Sequence, residues 1–345
     1  MKTKYTVLDL FCGCGGLSLG FEMAGFDVKL AIDNWEDALV TYRKNHKGGK
    51  TLNADLLNLN PKEVEQEVGI HDVDVIIGGP PCQGFSVAGK RIIDDDRNKL
   101  YKSFVRFVEH YKPKAFVMEN VPNILSIGGG AVKDAILSDF STLGYNVTYK
   151  VLMASDYGVP QNRKRAIFIG LLEKKEFDFP QRQTEKPVTT FEALSDLPED
   201  SIVDGSTYPS EPLSDYQVLC RKGSNTVFNH QITEHIAETK RIIAMVPDGG
   251  NYKNLPEEMW SLRKVHIAWT RMNSQKPCFT IDTGHFHHFH YKYNRVPTVR
   301  ESARIQSFPD TFIFIGGKGS QLRQVGNAVP PLMAKAIADK LKNSI

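Results

Sequence analysis

"YTVLDLFCGCGGLSLGFEMAGFDVKLAID", residues 5–33, decides how this chain folds. Tyr5–Phe11 is a short apolar run that ends in glycines, as a buried strand does. Leu17–Phe26 carries apolar residues at helical spacing and stops at Gly25, and Val28–Asp33 is a second strand. Strand, glycine turn, helix, strand is the repeating unit of an open parallel sheet. The rhythm continues outward. "EDALVTYRKNH" reads as a helix, "VDVIIGG" (73–79) as a strand and "KLYKSFVRFVEHY" as a helix. "KAFVMEN" (114–120) is a strand, "AVKDAILSDFSTLGY" a helix, and "YNVTYKVLMA" and "RAIFIGL" are strands. The expectation is an α/β fold with a mostly parallel sheet and helices on both faces.

The rhythm stops near Leu172. Residues 175–296 are richer in polar, proline and glycine signals, with "EHIAETKRIIAMV" as their best helix. A periodic helix resumes in "VRESARIQSF", and "PPLMAKAIADKLKNSI" closes the chain as another. The reading is a catalytic and cofactor-binding domain at 1–174, a smaller irregular insertion at 175–296 and a return to the first domain at 297–345. A length of 345 residues suits two lobes, and 41% hydrophobic with 24% charged residues supplies a core. A net charge of +3 is compatible with nucleic acid without being the mark of a protein held on by charge alone. Five cysteines, with no C-x-x-C pair, fit neither a disulfide framework nor a Cys-rich zinc site. No apolar run approaches the roughly 20 residues that cross a bilayer. A cytoplasmic protein with no membrane partner is expected.

The first glycine loop sits where an open α/β sheet binds a nucleotide-like ligand. A dinucleotide site would show G-x-G-x-x-G, but counted from Gly13 the third position is Ser18. Asp33, ending the second strand, can accept from ribose hydroxyls. Asp55, in "NADLL" after a short run that reads as a strand, can hold an exocyclic amine. The loop says nucleoside without saying which, and a dehydrogenase or a plain structural turn stays open.

"GGPPCQGFS", residues 78–86, places Cys82 after two prolines that fix φ and restrict the loop. A lone cysteine is commonly just a small buried hydrophobe, but two further features shift that reading. Glu119 leaves the end of a strand in "MENVPN", where a packing role explains a carboxylate poorly; a helix N-terminal charge is its alternative. Arg163 and Arg165, two apart in "QNRKR", face the same way if they enter a strand, or else form a solvated basic turn. A thiol, a carboxyl and a cationic clamp beside a nucleoside loop suit addition to an electron-poor ring carbon.

Six blocks then carry a resemblance: "DLFCGCGG", "GGPPCQGFS", "ENV", "QNRKR", "RESARIQSFPD" and "QVGNAVPP", in this order. Together they resemble the DNA (cytosine-5) methyltransferases of bacterial restriction–modification systems. The resemblance implies a Rossmann-like fold that binds S-adenosylmethionine, no metal, and methyl transfer to C5 of a specific cytosine in double-stranded DNA. It implies that Cys82 attacks C6 of a flipped base, Glu119 serves N3 and the amine, Arg165 reaches O2 and holds Glu119, and Arg163 supports the loop or the DNA. For the cofactor it implies Phe11 on the adenine, Gly13 and Gly15 at the methionine end, Asp33 on the ribose and Asp55 on the adenine amine. Pro80, Leu100, Asn327 and Val329 line the rest. Asn34 stands where the family often has a large apolar residue, with Trp35 one place on. Cys12 and Cys14 read as small loop residues. Arg300, Glu301 and Arg304 would organise a hinge between the lobes through buried ion pairs.

By the same resemblance, 175–296 is the target-recognition domain. Thr280, with Ile281, borders the base pocket, and Gln83 and Ser86 face the DNA beside Cys82. Arg271, Asn273, Lys276, Lys292 and Arg295 are candidate DNA groups. His285, His287, His288 and His290 in "GHFHHFHYKYNR" lack a completing cysteine or carboxylate, and a DNA-proximal aromatic and imidazole segment is expected in place of a zinc site. A tRNA methyltransferase built on the same blocks, a non-catalytic DNA-binding relative and a dehydrogenase are the competing readings. The long insertion, the intact Cys82, Glu119 and Arg165, and the proline–cysteine loop argue against them in turn. A monomer, and a cognate restriction endonuclease as functional partner, complete the expectation.

Overall fold

The computed structural model describes residues 4–81, 99–173, 176–262, 269–284 and 288–345. They divide into two compact units, 1–153 with 164–182 and 331–345, and 154–163 with 183–330.

In the first unit, chain order runs β1 (Thr6–Leu10), α1 (Gly16–Met23), β2 (Asp27–Asp33), α2 (Glu36–Asn45), β3 (Lys50–Asn53), α3 (Pro61–Val68) and β4 (Val75–Gly78). Then come α4 (Lys99–Tyr111), β5 (Ala115–Asn120), α5 (Ala131–Thr142) and β6 (Tyr145–Met153). After β7 (Gln161–Asn162), which belongs to the second unit, β8 (Lys164–Leu172) returns to the first. The seven-stranded sheet has the order β3-β2-β1-β4-β5-β8-β6. The strands from β1 to β5 pair in parallel, and only β8 runs antiparallel to its neighbours. The central strands β1, β4 and β5 are almost wholly buried, which is why they read as unbroken apolar runs. The edge strand β3 is partly exposed, and α3 was not legible in the sequence: its exposed face leaves little apolar period.

Successive residues of β2 show that helices cover both faces. Leu30 and Ile32 join the cluster of Phe104, Phe107, Phe116 and Phe140, while Ala31 packs with Leu39 and Tyr42 of α2. Phe116 and Phe140 stack with centroids 4.0 Å apart. A Cβ at Gly170 of β8 would overlap the Phe116 ring, so the strand needs glycine there.

The second unit uses short elements: α6 (Thr190–Leu194), β9 (Ser206–Thr207), α7 (Asp215–Arg221), β10 (Thr226–Val227) and α8 (Ala237–Met245). They are followed by β11 (Thr270–Arg271), β12 (Cys278–Phe279), β13 (His288–Phe289), α9 (Val299–Ile305) and α10 (Lys318–Asn327). Its strands pair only two by two, β9 with β10, β11 with β13 and β7 with β12. Ile242, Ile243, Trp269, Phe289 and Val296 make an apolar core. Buried charge does the remaining work. Arg304 pairs with both Asp196 and Asp310, Arg300 lies 3.6 Å from Asp310, and Arg295 forms a two-pronged bridge to Glu301 at 2.8 Å. Glu301 also closes a capping box with Thr298 at the start of α9. Burial alone would raise the Glu301 carboxyl, but Arg295 and His290 hold it well below the usual range.

These partners correct the expected hinge. Among the described residues, the charged partners of Arg300, Glu301 and Arg304 lie in the second unit, so the three knit that unit from within. α9 and, after it, α10 belong to that unit. The chain returns to the first unit at Pro331 and not at residue 297, through α11 (Pro331–Lys342). A Cβ on Gly20 of α1 would overlap Ala334, so the two helices touch backbone to backbone. No helix among the described residues is long and apolar enough to cross a membrane.

Candidate active site

The glycine loop leaves β1 in a left-handed conformation at alternate residues, φ +60° at Phe11, +54° at Gly13 and +92° at Gly15. Glycine takes such angles freely; for Phe11 the cost is about 1–3 kcal/mol, a strain that concentrates at working sites. The loop is tied to β2. Cys12 N–H donates to the Ile32 carbonyl at 3.1 Å and Gly13 N–H to Asp33 Oδ2 at 2.8 Å. Asp33 Oδ1 accepts from Trp35 N–H at 2.9 Å, so this carboxylate is a post from which the loop hangs. A Cβ at Gly13 would meet no atom of the described residues within 4 Å, whereas one at Gly15 would strike His46 and Tyr42. The loop thus has an open face and a packed floor, which fits a nucleoside lying against its backbone. Asp55 follows β3 on the same edge, accepting from Leu57 N–H at 3.0 Å. Asn34 is exposed and Trp35 half-buried.

Sheet order places a second loop beside this one. The chain turns to one side from β1 and to the other from β4, while Leu10 and Gly78 are register partners. Such a switch point opens a crevice at the carboxyl ends of the strands. The proline loop leaves from Gly78 into that edge, with Pro80 buried and Pro81 exposed. Cys82, Gln83 and Ser86 lie outside the described residues. Met118 is the register partner of Gly78, so Glu119 emerges beside Gly79. A Cβ on Gly79 would sit 2.9 Å from Glu119 Oε2, and glycine is what lets the carboxylate lie over the loop. Asn120 Nδ2 donates to the Pro80 carbonyl at 2.9 Å and anchors the loop two residues before Cys82. Arg165 Nε reaches Glu119 Oε1 at 2.6 Å, both side chains largely buried. Glu119 pairs in register with Ile167, and Arg165 lies two residues along on the same face of β8. Leu100 stands in the first turn of α4.

The four described cysteines are buried and protonated at neutral pH. Burial pushes the Cys14 and Cys220 thiols up to about 12 and raises Cys12 and Cys278 as well. None of them suits a nucleophile's role.

Several expected site residues have other work. Arg163 is buried and donates to the Gly326 carbonyl at 2.7 Å within the second unit, so the two arginines of "RKR" part company. Arg271 is corrected from a DNA group to a structural one. It is buried, with its guanidinium donating to the carbonyls of Ile243, Val246, His290 and Tyr293. Arg295 is corrected likewise, being buried against Glu301 and the Glu199 carbonyl. His290 is no DNA-facing imidazole either. It is buried, its Nδ1 accepts from Lys292 and Tyr293 N–H, and burial pulls its pKa down to about 4. His288 is also buried, and His285 and His287 lie outside the described residues. Lys292, Lys276 and Thr280 are exposed and Asn273 half-buried. Asn327 is exposed and Val329 buried, both in the second unit. No three metal-binding side chains converge among the described residues.

Three positioning side chains escaped the sequence reading. Besides Asn120, Gln161 accepts from Ile281 N–H at 3.0 Å and donates to Gln306 Oε1 at 2.7 Å. Gln306 in turn donates to the carbonyls of Val325 and Ala328. The signal was present, since each lies inside one of the six sequence blocks.

Comparison with known proteins agrees with this geometry. The family model for C-5 cytosine-specific DNA methylase matches residues 5–343. The chain is 42% identical to type II methyltransferase M.DdeI of Desulfomicrobium norvegicum, covering 97% of this chain and 88% of that one. It is 39% identical to type II methyltransferase M1.HphI of Haemophilus parahaemolyticus, covering 97% and 86%. Among solved structures, it is similar to a protein described as a DNA modification methyltransferase encoded within an Escherichia coli prophage, at a TM-score of 0.82, 30% identity and 99% coverage of both chains. The Dnmt2 methyltransferase of S. pombe, at 17% identity and a TM-score of 0.62, shares the fold. The chain belongs to the C-5 cytosine-specific DNA methylases of restriction–modification type, whose methyl donor is S-adenosylmethionine.

Proposed function

We propose that Cys82, Glu119 and Arg165 carry the methylation of C5 in a cytosine flipped out of double-stranded DNA. One observation supports this most: the Glu119 carboxylate, pinned by Arg165, lies over Gly79 at the switch-point edge, three residues before Cys82. Cys82 Sγ, as thiolate, bonds to C6 of the base. Charge that gathers at N3 is met by a proton or hydrogen bond from Glu119, and Arg165, with five N–H donors, holds Glu119 and reaches O2. The addition leaves C5 electron-rich. Once C5 bears the methyl group, loss of its proton and expulsion of Cys82 restore the aromatic ring.

Bound S-adenosylmethionine supplies the electrophilic methyl group. Phe11, Gly13, Gly15, Asp33 and Asp55 would hold it, with Pro80 and Leu100 completing that side of the site. The open face at Gly13 above a packed floor fits such a ligand. The second unit, with the exposed Thr280 and Lys292, reads the target sequence. The enzyme acts as a monomer that shields host DNA from a cognate restriction endonuclease.

The test is a trap. Cys82→Ser abolishes turnover while retaining affinity for S-adenosylhomocysteine, and duplex DNA carrying 5-fluorocytosine at the target holds wild-type protein as a covalent adduct. Turnover by Cys82→Ser near the wild-type rate refutes the assignment. Bisulfite sequencing of DNA from an expressing host supplies the target site for the duplex.

A further inference from the structure

We propose that Arg106 is the positioning residue for recognition of the donor's adenine, holding in place the turn that presents Asp55. This rests on the reading of Asp55 as acceptor for the adenine amine. On its own side the turn is held by bonds within it and, just before Asp55, by Ala54 N–H donating to the Asp33 carbonyl at 3.0 Å. Asn58 N–H donates to the Asp55 carbonyl at 3.0 Å, and the carboxylate accepts from Leu57 N–H at 3.0 Å and Asn58 Nδ2 at 3.3 Å. Local bonds of this kind shape a turn without fixing it to the body of the protein.

Beyond the burial of the Leu56 side chain in the main core, the backbone of the turn is tied down by α4. Arg106 Nη2 lies 3.0 Å from the Leu56 carbonyl, 3.0 Å from that of Leu57 and 3.4 Å from that of Leu59. It is also 3.3 Å from Ser103 Oγ, one turn back on its own helix. The three carbonyls converge on Nη2, whose two N–H groups they share and whose positive charge their dipoles face, and an apolar side chain would offer neither. α4 is itself a firm base, with Phe104, Phe107 and Val108 buried in the main core beside Leu56. The same helix bears Leu100 in its first turn, so one rigid element would set two sides of the donor site.

The experiment measures binding and needs no turnover. Calorimetry on the purified full-length protein compares S-adenosylhomocysteine with S-inosylhomocysteine, which carries a carbonyl in place of the exocyclic amine. Wild type should prefer the adenine ligand by about tenfold or more, as a hydrogen bond to a charged acceptor gives. Arg106→Met should shrink that preference to within about threefold, as Asp55→Asn does, even where absolute affinity changes little. A mutant that keeps the wild-type ratio overturns the proposal, since a general loss of stability weakens both ligands alike. If wild type itself shows no preference, the Asp55 reading fails first and the proposal falls with it. Should Arg106→Met not fold by circular dichroism, Arg106→Gln, which keeps a donor but loses the fork, takes its place: a reduced ratio supports the proposal and a wild-type ratio overturns it.

Discussion

Gly15→Ala and Gly13→Ala look equivalent on paper, because both put a methyl group on a left-handed residue of one loop. Their surroundings separate them. At either site an L-residue with positive φ costs about 1–2 kcal/mol. At Gly13 nothing else is added, for no atom of the described residues lies within 4 Å of the new Cβ. At Gly15 the methyl group would overlap His46 Nε2 and lie 2.8 Å from the Tyr42 ring. Neither ring can retreat easily. They stack at 4.0 Å, Tyr42 OH donates to Ser18 Oγ at 2.9 Å, and His46 Nδ1 lies 2.9 Å from Glu22 Oε2. Overpacking of a filled site costs about 1–3 kcal/mol more. Gly15→Ala should therefore lose about 2–5 kcal/mol, and Gly13→Ala about 1–2. Urea unfolding of the protein without ligand, followed by far-ultraviolet circular dichroism, reads the difference directly. A His46→Ala change in the Gly15→Ala background should return part of the loss, as contacting residues in a mutant cycle do. Equal unfolding midpoints for the two single mutants would sink the reasoning.

The remaining predictions concern buried charge. Burial raises the Asp9 carboxyl to about 8 against the lowering effect of its Ser18 hydrogen bond, so the folded protein keeps a proton there that the unfolded chain releases above about pH 4. Stability should fall as pH rises through that window, by about 1–2 kcal/mol between pH 6.5 and 8, and Asp9→Asn should flatten the fall; an unchanged slope in thermal melts refutes this. Below pH 6.5 the sign reverses for His290, which is neutral when folded down to about pH 4 and charged when unfolded, so its share of stability is lost as pH drops. Arg304→Met should destabilise the second unit by about 3–5 kcal/mol, because Asp196 and Asp310, both fully buried, lose the cation they share and are left with Arg221 at 3.2 Å and Arg300 at 3.6 Å. Hydrogen exchange localises the loss, and protection equal to wild type in α9 would contradict it.

Some of this protein could be read without its structure. The strands and turns around Tyr5–Asp33 depend on neighbours in sequence, and apolar periodicity with glycine punctuation reports them. The pairing of Glu119 with Arg165 was legible too, through the resemblance that "ENV" and "QNRKR" carry. Charge elsewhere misled. Arg163 and Arg165 stand in one tripeptide, yet one donates to the Gly326 carbonyl and the other clamps Glu119. Arg271 and Arg295 resembled surface groups for DNA, and both are buried in frameworks of carbonyls and carboxylate. The second unit also runs on to Pro330. Local conformation follows from nearest neighbours along the chain. The fate of an ionised side chain depends on whether distant segments bring it enough partners to offset its loss of water, and only the tertiary structure decides that.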